Sequence, residues 1–248
     1  MIALIAAVPL ETTLLRQALS PCEVRSCGRF ELYRGTLEGH PVMLLHCGVG
    51  KANAAAATAI LLETQRPEAV INFGCGGAYP GSGLEVGDLA LASEERYGDE
   101  GVDTPAGFLD LEAIDLPLVR HNGQRLFNRF PVASTLFDRA RSLFEDPLIR
   151  SSPGFAVGPF VTVSTCSGSN RSAAILRQRT GGLCENMEGC AIAQLCYRYN
   201  VPFLELRGIS NHAEDRDLAR WNLSGGAATA QQAVRALLGR WHVQKEPA

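Results

Sequence analysis

The stretch KANAAAATAILLETQRPEAVINFGCGG, residues 51–77, decides the fold class. Its first half is rich in alanine and free of breakers, which favours a helix that ends before Pro67, because proline cannot continue one. EAVINFGCGG follows, apolar without alternation. A strand that reads so is buried on both faces, and such strands belong to parallel sheets covered by helices on both sides.

The rest of the chain repeats the unit. MIALIAAV, VGDLALASEERYG, SPGFAVGPFVTVSTCSG and VPFLELRGIS read as further strands, and ELYRGTLEG with PVMLLHCGVG as two more that turn at Glu38 and Gly39. Helices are expected at Leu10 to Leu19, near Asn170, over ENMEGCAIAQLCYRYN and over SGGAATAQQAVRALLGRW. The expectation is a single α/β domain over residues 1–248, with a mixed, mainly parallel central sheet flanked by helices on both faces. Ligands in such sheets bind at the carboxyl ends of strands. Residues from about 99 to 131 carry Gly, Pro, Asp and Asn with little periodicity and read as an irregular, variable insertion.

Composition narrows the function. The 248 residues are 46% hydrophobic and 20% charged, enough chain for a sizeable core. A net charge of -3 without like-charged runs excludes the cationic footprint of a nucleic-acid or membrane-surface binder. MIALIAAV lacks a positive flank and meets Pro9 and Glu11 at once, so it reads as a strand rather than a leader, and a cytoplasmic protein is expected. Eight cysteines without a CxxC pair, in mostly apolar surroundings, read as reduced buried thiols, and five scattered histidines suggest no metal site. No cofactor is implied.

Three features stand where a ligand would bind. GCGGAYPGSG, residues 74–83, follows a strand and is either a tight turn or a place where backbone passes close to a flat ligand. It matches no phosphate-binding pattern. Glu11 and Glu188 each sit at the start of a helix after a strand, where a carboxylate either complements the helix dipole or does chemistry.

IAAVPLETTLL, CGVGKANAAAAT, ENMEGCAIAQLC and NVPFLELRGISN occur in this order, and together they resemble the nucleoside phosphorylase and nucleosidase superfamily. The likeness is to the hydrolytic branch that includes methylthioadenosine/S-adenosylhomocysteine nucleosidase, and it covers the chain except roughly residues 99–150. It implies that Glu11 is the general base on water and that Glu188 holds the ribose 2′- and 3′-hydroxyls while Met187 packs on the sugar. Arg207 would lie near the water and ribose, Phe160 and Val161 beside the purine, and Cys75, Gly76 and Gly77 along the ligand. Asn211 would face the base around N7, with Ser210 to position it. These roles suit an N-glycosidic bond, whose cleavage passes through a ribosyl cation that carboxylates stabilise. Phosphorolysis would need fixed cations, and no arginine precedes Arg16.

The adenine-specific members carry Asp where Asn211 stands. A protonated acid gives its proton to N7 as the base leaves; an amide instead donates an N–H to O6 and accepts from a developing N7–H, which suits hypoxanthine without barring adenine. ENMEG, GAYPGSG, Glu205 within the last strand and SNHAEDRDLARWN resemble the futalosine hydrolase branch. That likeness implies release of hypoxanthine and dehypoxanthine futalosine from futalosine, in menaquinone biosynthesis. The aromatic carboxylate of that substrate would need a cation, for which Arg120, Arg125 and Arg129, with His121 beside them, are candidates against the alternative of a solvated loop. Methylthioadenosine/S-adenosylhomocysteine or aminofutalosine nucleosidase, purine nucleoside phosphorylase and a non-catalytic nucleoside-binding protein are the other readings. A homodimer or larger homo-oligomer is expected of the family. His212, Asp215, Arg216 and Trp221 either order a loop that closes over the base or cap the last helix.

Overall fold

A computed structural model describes residues 1–121, 123–150 and 152–241, so the last seven residues of the expected domain and Asn122 of the insertion lie outside the described residues. In chain order the elements are β1 (Ile2–Ala6), a 3₁₀ turn (Pro9–Thr12), α1 (Thr13–Ala18), β2 (Ser20–Cys27), β3 (Phe30–Leu37), β4 (His40–His46), α2 (Lys51–Gln65), β5 (Ala69–Ala78) and β6 (Leu89–Tyr97). Then come β7 (Gly101–Thr104), β8 (Gly107–Asp110), β9 (Val119–His121), β10 (Gln124–Leu126), β11 (Arg129–Pro131), α3 (Ser134–Glu145), β12 (Phe155–Thr162) and α4 (Asn170–Thr180). The chain ends with β13 (Cys184–Asn186), α5 (Gly189–Tyr199), β14 (Phe203–His212), a second 3₁₀ turn (Leu218–Arg220) and α6 (Leu223–Gly239).

One ten-stranded sheet runs β11-β6-β12-β13-β5-β1-β4-β3-β2, and β14 pairs with both β5 and β6. That double pairing closes β5, β14, β6, β12 and β13 into a ring, while β1 to β4 fan out from it as an open sheet. The pairs β1–β4, β1–β5, β5–β14, β6–β12 and β12–β13 are parallel. The hairpins from β2 to β4, and the contacts of β11 with β6, β13 with β5 and β14 with β6, are antiparallel. The α/β fold is thus as expected, but its sheet is more evenly mixed than "mainly parallel", because closing the ring and adding the edge hairpins both need antiparallel pairs.

Both faces of the sheet are covered. Along β1, Leu4 and Ala6 join a core with Leu15 of α1, Phe144 of α3 and Leu237 of α6, while Ala3 and Ile5 join one with Leu61 of α2 and Ile192 of α5. Alternation is invisible in such a strand because each face finds apolar partners. Each large aliphatic side chain so buried contributes about 1.5–3 kcal/mol.

Three expectations need correction, and one open alternative is decided. Of the two readings of GCGGAYPGSG, the turn does not hold for Gly74, Gly76 and Gly77: β5 continues through them to Ala78. Residues 99–131 are not irregular, since β7 and β8 form one hairpin, β9 and β10 another, and β11 pairs with β6. Glu185 and Asn186 belong to the short β13 rather than to the helix, which starts at Gly189. The first helix is a 3₁₀ turn followed by only Thr13–Ala18, and β2 and α3 come in addition. Among the described residues no helix is long and apolar enough to cross a membrane.

Candidate active site

The carboxyl ends of β1, β5 and β14 and the junction between β13 and α5 meet around one cavity. Glu11, in the 3₁₀ turn after β1, is only 6% exposed there. Its Oε2 accepts from the N–H groups of Ala7 at 3.0 Å and Val8 at 3.3 Å, and its Oε1 from the N–H of Cys75 at 2.8 Å. Backbone donors therefore hold the carboxylate without a cation in contact. This explains Gly74, where a Cβ would lie 2.3 Å from Glu11 Oε1. β5 is glycine-rich because side chains of the site press directly on its backbone.

Glu188 is the N-cap of α5, and the N–H of Gly50 donates to its Oε1 at 2.9 Å. Burial raises its pKa above the usual carboxylate value, opposed by Arg207 and by that N–H. Asn186 shapes the turn beneath it: its Oδ1 accepts from the N–H of Glu188 at 3.0 Å and of Gly189 at 2.7 Å. Arg207, on β14 and 2% exposed, donates from Nε to Glu205 Oε1 at 2.7 Å and from Nη1 to the Cys75 carbonyl at 3.2 Å. Burial disfavours its charge, but Glu205, Glu188 and Glu11 outweigh that and keep it cationic. Its Nη2 lies 3.9 Å from Glu188 Oε2 and has no hydrogen-bond partner among the described residues, leaving a donor for a ligand or water.

At the other end of the cavity, Ser210 donates from its hydroxyl to Asn211 Oδ1 at 2.8 Å, and Asn211 donates from Nδ2 to the His212 carbonyl at 3.0 Å. Both contacts fix the same amide orientation, with one N–H of Nδ2 still available. Met187, Gly76 and Gly77 line the cavity as expected. Cys75 lines it too, but its thiol donates to the Leu223 carbonyl at 3.4 Å, and burial followed by Glu11 pushes its pKa up to about 12. It is a neutral wall, not an acid.

Two expectations fail here. Phe160 and Val161 are both 0% exposed, packed in the core with Ala92 and Ala173 respectively, and neither lines the cavity. The wall in that direction is Cys166 and Ser167, in the loop after β12. Nor do the insertion arginines reach the site: Arg125 pairs with Asp115 and lies over Phe127, and Arg129 lines a separate cavity with Tyr97, Phe108 and Arg179.

The sequence reading missed Glu185 and Asn186 as cavity residues and left Arg216 and Trp221, which also line it, between two roles. Glu185 accepts from the N–H of Ser167 at 2.9 Å and from its hydroxyl at 2.7 Å, and burial raises its pKa against those two bonds. Glu185 opens ENMEG itself, so a second carboxylate three residues before Glu188 was the available signal. Arg216 lies over the Trp221 ring at 4.8 Å, both on the cavity wall, while Asp215 accepts from the N–H of Asn170 at 2.9 Å and ties this loop to α4. His212 meets the exposed Glu85 at 3.2 Å. The last helix is capped instead by Asn222, whose side chain accepts from the N–H of Gly225. The loop reading of Arg216 and Trp221 is therefore the better one.

Comparison with known proteins agrees with this arrangement. Residues 1–239 match the phosphorylase superfamily. The chain is 32% identical over 241 residues to a 5′-methylthioadenosine/S-adenosylhomocysteine nucleosidase of Halalkalibacterium halodurans, covering 96% of this chain and 98% of that one. It is 33% identical over 224 residues to the enzyme of the same name from Bacillus cytotoxicus, covering 86% of each. Among solved structures, the nucleosidase of that name from Neisseria meningitidis in complex with methylthio-immucillin-A superposes with a TM-score of 0.82 at 27% identity, over 96% of this chain and 98% of that one. The Colwellia psychrerythraea nucleosidase in complex with adenine gives 0.81 at 27% identity, over 96% and 94%. With a family match over nearly its whole length and two carboxylates and an arginine gathered at the strand ends, the chain belongs to the phosphorylase superfamily.

Proposed function

We propose that the chain is a nucleosidase, an N-glycosyl hydrolase of purine nucleosides, and that futalosine is its substrate. Glu11 takes a proton from water, whose oxygen attacks the anomeric carbon. The bond to the base breaks, and the electron pair leaves with the purine. Glu188 spans the two ribose hydroxyls and, with Glu11, stabilises the positive charge that the sugar gains in the transition state. Arg207 Nη2 supplies a donor to the water or a ribose hydroxyl.

The observation that carries the choice of futalosine is Asn211. Its amide is fixed by Ser210 and the His212 carbonyl, so the group at the end of β14 is a neutral hydrogen-bonding pair and not a proton donor. Hypoxanthine leaves more readily as an anion than adenine does, and so depends less on an acid. Arg216 over Trp221 adds support, because a cation stacked on an aromatic face suits an aromatic carboxylate. Arg216→Ala is therefore expected to raise KM about tenfold for an acid-tailed nucleoside and to leave KM for inosine unchanged. Equal KM changes for both substrates would remove Arg216 from tail recognition.

A second reading, 5′-methylthioadenosine/S-adenosylhomocysteine nucleosidase, is favoured by the names of the relatives above. Asn211 is compatible with it, since one amide can bind N6 and N7 of neutral adenine. A competition assay decides: futalosine, aminofutalosine, inosine and methylthioadenosine are offered together and the released base is read. Hypoxanthine from futalosine is the expected product, and preferential release of adenine would replace this reading by the second. Base release independent of phosphate is expected in either case.

A further inference from the structure

Two departures visible in the sequence, Gly189 in ENMEG and Glu205 inside the last strand, meet at one point in the core. A Cβ on Gly189 would lie 2.3 Å from Glu205 Oε2 and 2.3 Å from Glu95 Oε1, so the two carboxyl groups face each other across the space the glycine leaves. Both residues are 0% exposed, inside the ring of strands. Three of the oxygens have donors: Thr162 Oγ1 to Glu95 Oε2, Asn186 Nδ2 to Glu95 Oε1 and Arg207 Nε to Glu205 Oε1, each at 2.7 Å. The fourth, Glu205 Oε2, has none among the described residues.

Two buried carboxylates this close repel strongly if both are charged. A proton on Glu95 removes the repulsion and supplies the donor that Glu205 Oε2 lacks. Burial, and then Glu205, push the Glu95 pKa well above the usual carboxylate value, in agreement with that geometry. The other titratable groups around the pair are Cys184 on β13, Cys190 on α5 and Tyr97 on β6, all held protonated by burial, and Glu188 and Glu11 on the cavity side.

We propose that Glu95 and Glu205 form a hydrogen-bonded acid pair that positions Arg207 and keeps its charge from being spent on Glu188. The proposal rests on reading the cavity as the ribose site. Arg207 already has its closer ion pair in the core, 2.7 Å to Glu205 against 3.9 Å to Glu188. With one proton on the pair, Glu95, Glu205 and Arg207 sum to no net charge. Glu11 and Glu188 then face the sugar uncompensated, where positive charge develops. Gly189 belongs to the same device, because any side chain there would separate the two acids.

Glu205→Gln frees Arg207 to close on Glu188, and kcat on the best nucleoside substrate should fall by about 10- to 100-fold with KM changed much less. Glu95→Gln keeps a donor toward Glu205 and loses only the acceptor for Asn186, so kcat should stay within about fivefold, while Glu95→Val should lose as much as Glu205→Gln. Melting temperature gives a readout that needs no substrate. The folded pKa of Glu95 lies above its unfolded value near 4.5, so the stability its proton confers is full below that value and is lost as pH rises toward the folded one. The wild type should therefore lose melting temperature relative to Glu95→Gln as the pH rises above about 4.5. Parallel melting curves for the two proteins, an unchanged kcat in Glu205→Gln, or equal losses in Glu95→Gln and Glu205→Gln would each overturn the proposal. If Glu205→Gln does not fold, the Glu95 variants decide. A wild type that hydrolyses no purine nucleoside overturns the functional reading alone, since the melting curves still test the pair.

Discussion

Replacing Glu11 by glutamine lowers kcat by a factor on the order of 10³ and leaves the dissociation constant of a non-hydrolysable substrate analogue within a few-fold of the wild type. The size follows from what the carboxylate has to do. Water is a poor nucleophile toward a neutral nucleoside, and Glu11 takes its proton as the bond forms, a role an amide cannot fill. Its orientation is fixed by three backbone N–H groups, from Ala7, Val8 and Cys75. A glutamine meets one or two of them with its own NH₂ group, which should also cost about 1–3 kcal/mol of stability. Rate of base release, calorimetric titration with the analogue and thermal melting separate the three effects. A loss of kcat below about tenfold, with the same loss of stability, would mean that Glu11 serves the fold as an acceptor for those N–H groups and that another group activates water.

Replacing Asn211 by aspartate shifts the ratio of kcat/KM values toward adenine nucleosides by about 100-fold or more. Asn211 and aspartate have nearly the same shape, so the change is one of protons. Protonated, the aspartate donates to N7 of a departing adenine; ionised, it opposes O6 of hypoxanthine with a second acceptor and leaves that carbonyl unpaired. The hydroxyl of Ser210, now within 2.8 Å of Asn211 Oδ1, is placed to hold either group. The ratio is measured from released bases with inosine and adenosine as a matched pair, so that the 5′ side plays no part. An equal loss on both nucleosides would assign Asn211 a structural role at the end of β14.

The parts of the fold that were legible in the sequence are those in which one strand or helix announces itself. Lys51–Gln65 is helical because nothing in it resists a helix, and β1 and β5 are strands because both their faces are apolar. What escaped notice depends on pairings between distant segments. The ring closes because β14 lies between β5 and β6, and no local pattern in FLELRGISNH reports two neighbours. β13 is only Cys184–Asn186, too short for any periodicity, and it runs straight into a helical pattern that absorbed it.

The site divided in the same way. Residues within motifs, Glu11, Met187, Glu188, Arg207, Ser210 and Asn211, stand together around the cavity. The family resemblance puts Phe160 and Val161 beside the purine, but consecutive residues of a strand point to opposite faces, and in a doubly buried strand both faces are core. The wall fell to Cys166 and Ser167, where the chain has no period to read. Gly189 and Glu205 were visible as oddities, but their common reason lay in Glu95, ninety-odd residues away from the one and more than a hundred from the other.

The bonds that hold Glu11 to the backbone of Cys75, Glu188 to that of Gly50 and the Cys75 thiol to Leu223 each join segments far apart along the chain. Closing such long loops is slow and is rewarded only once the strands between them have paired. A nascent or truncated chain that has folded β1 to β5 thus holds Glu11 in its final place while Glu188, Arg207 and Asn211 have still to arrive. In refolding, catalytic competence should be the last signal to recover, later than the helical content contributed early by the alanine-rich Lys51–Gln65.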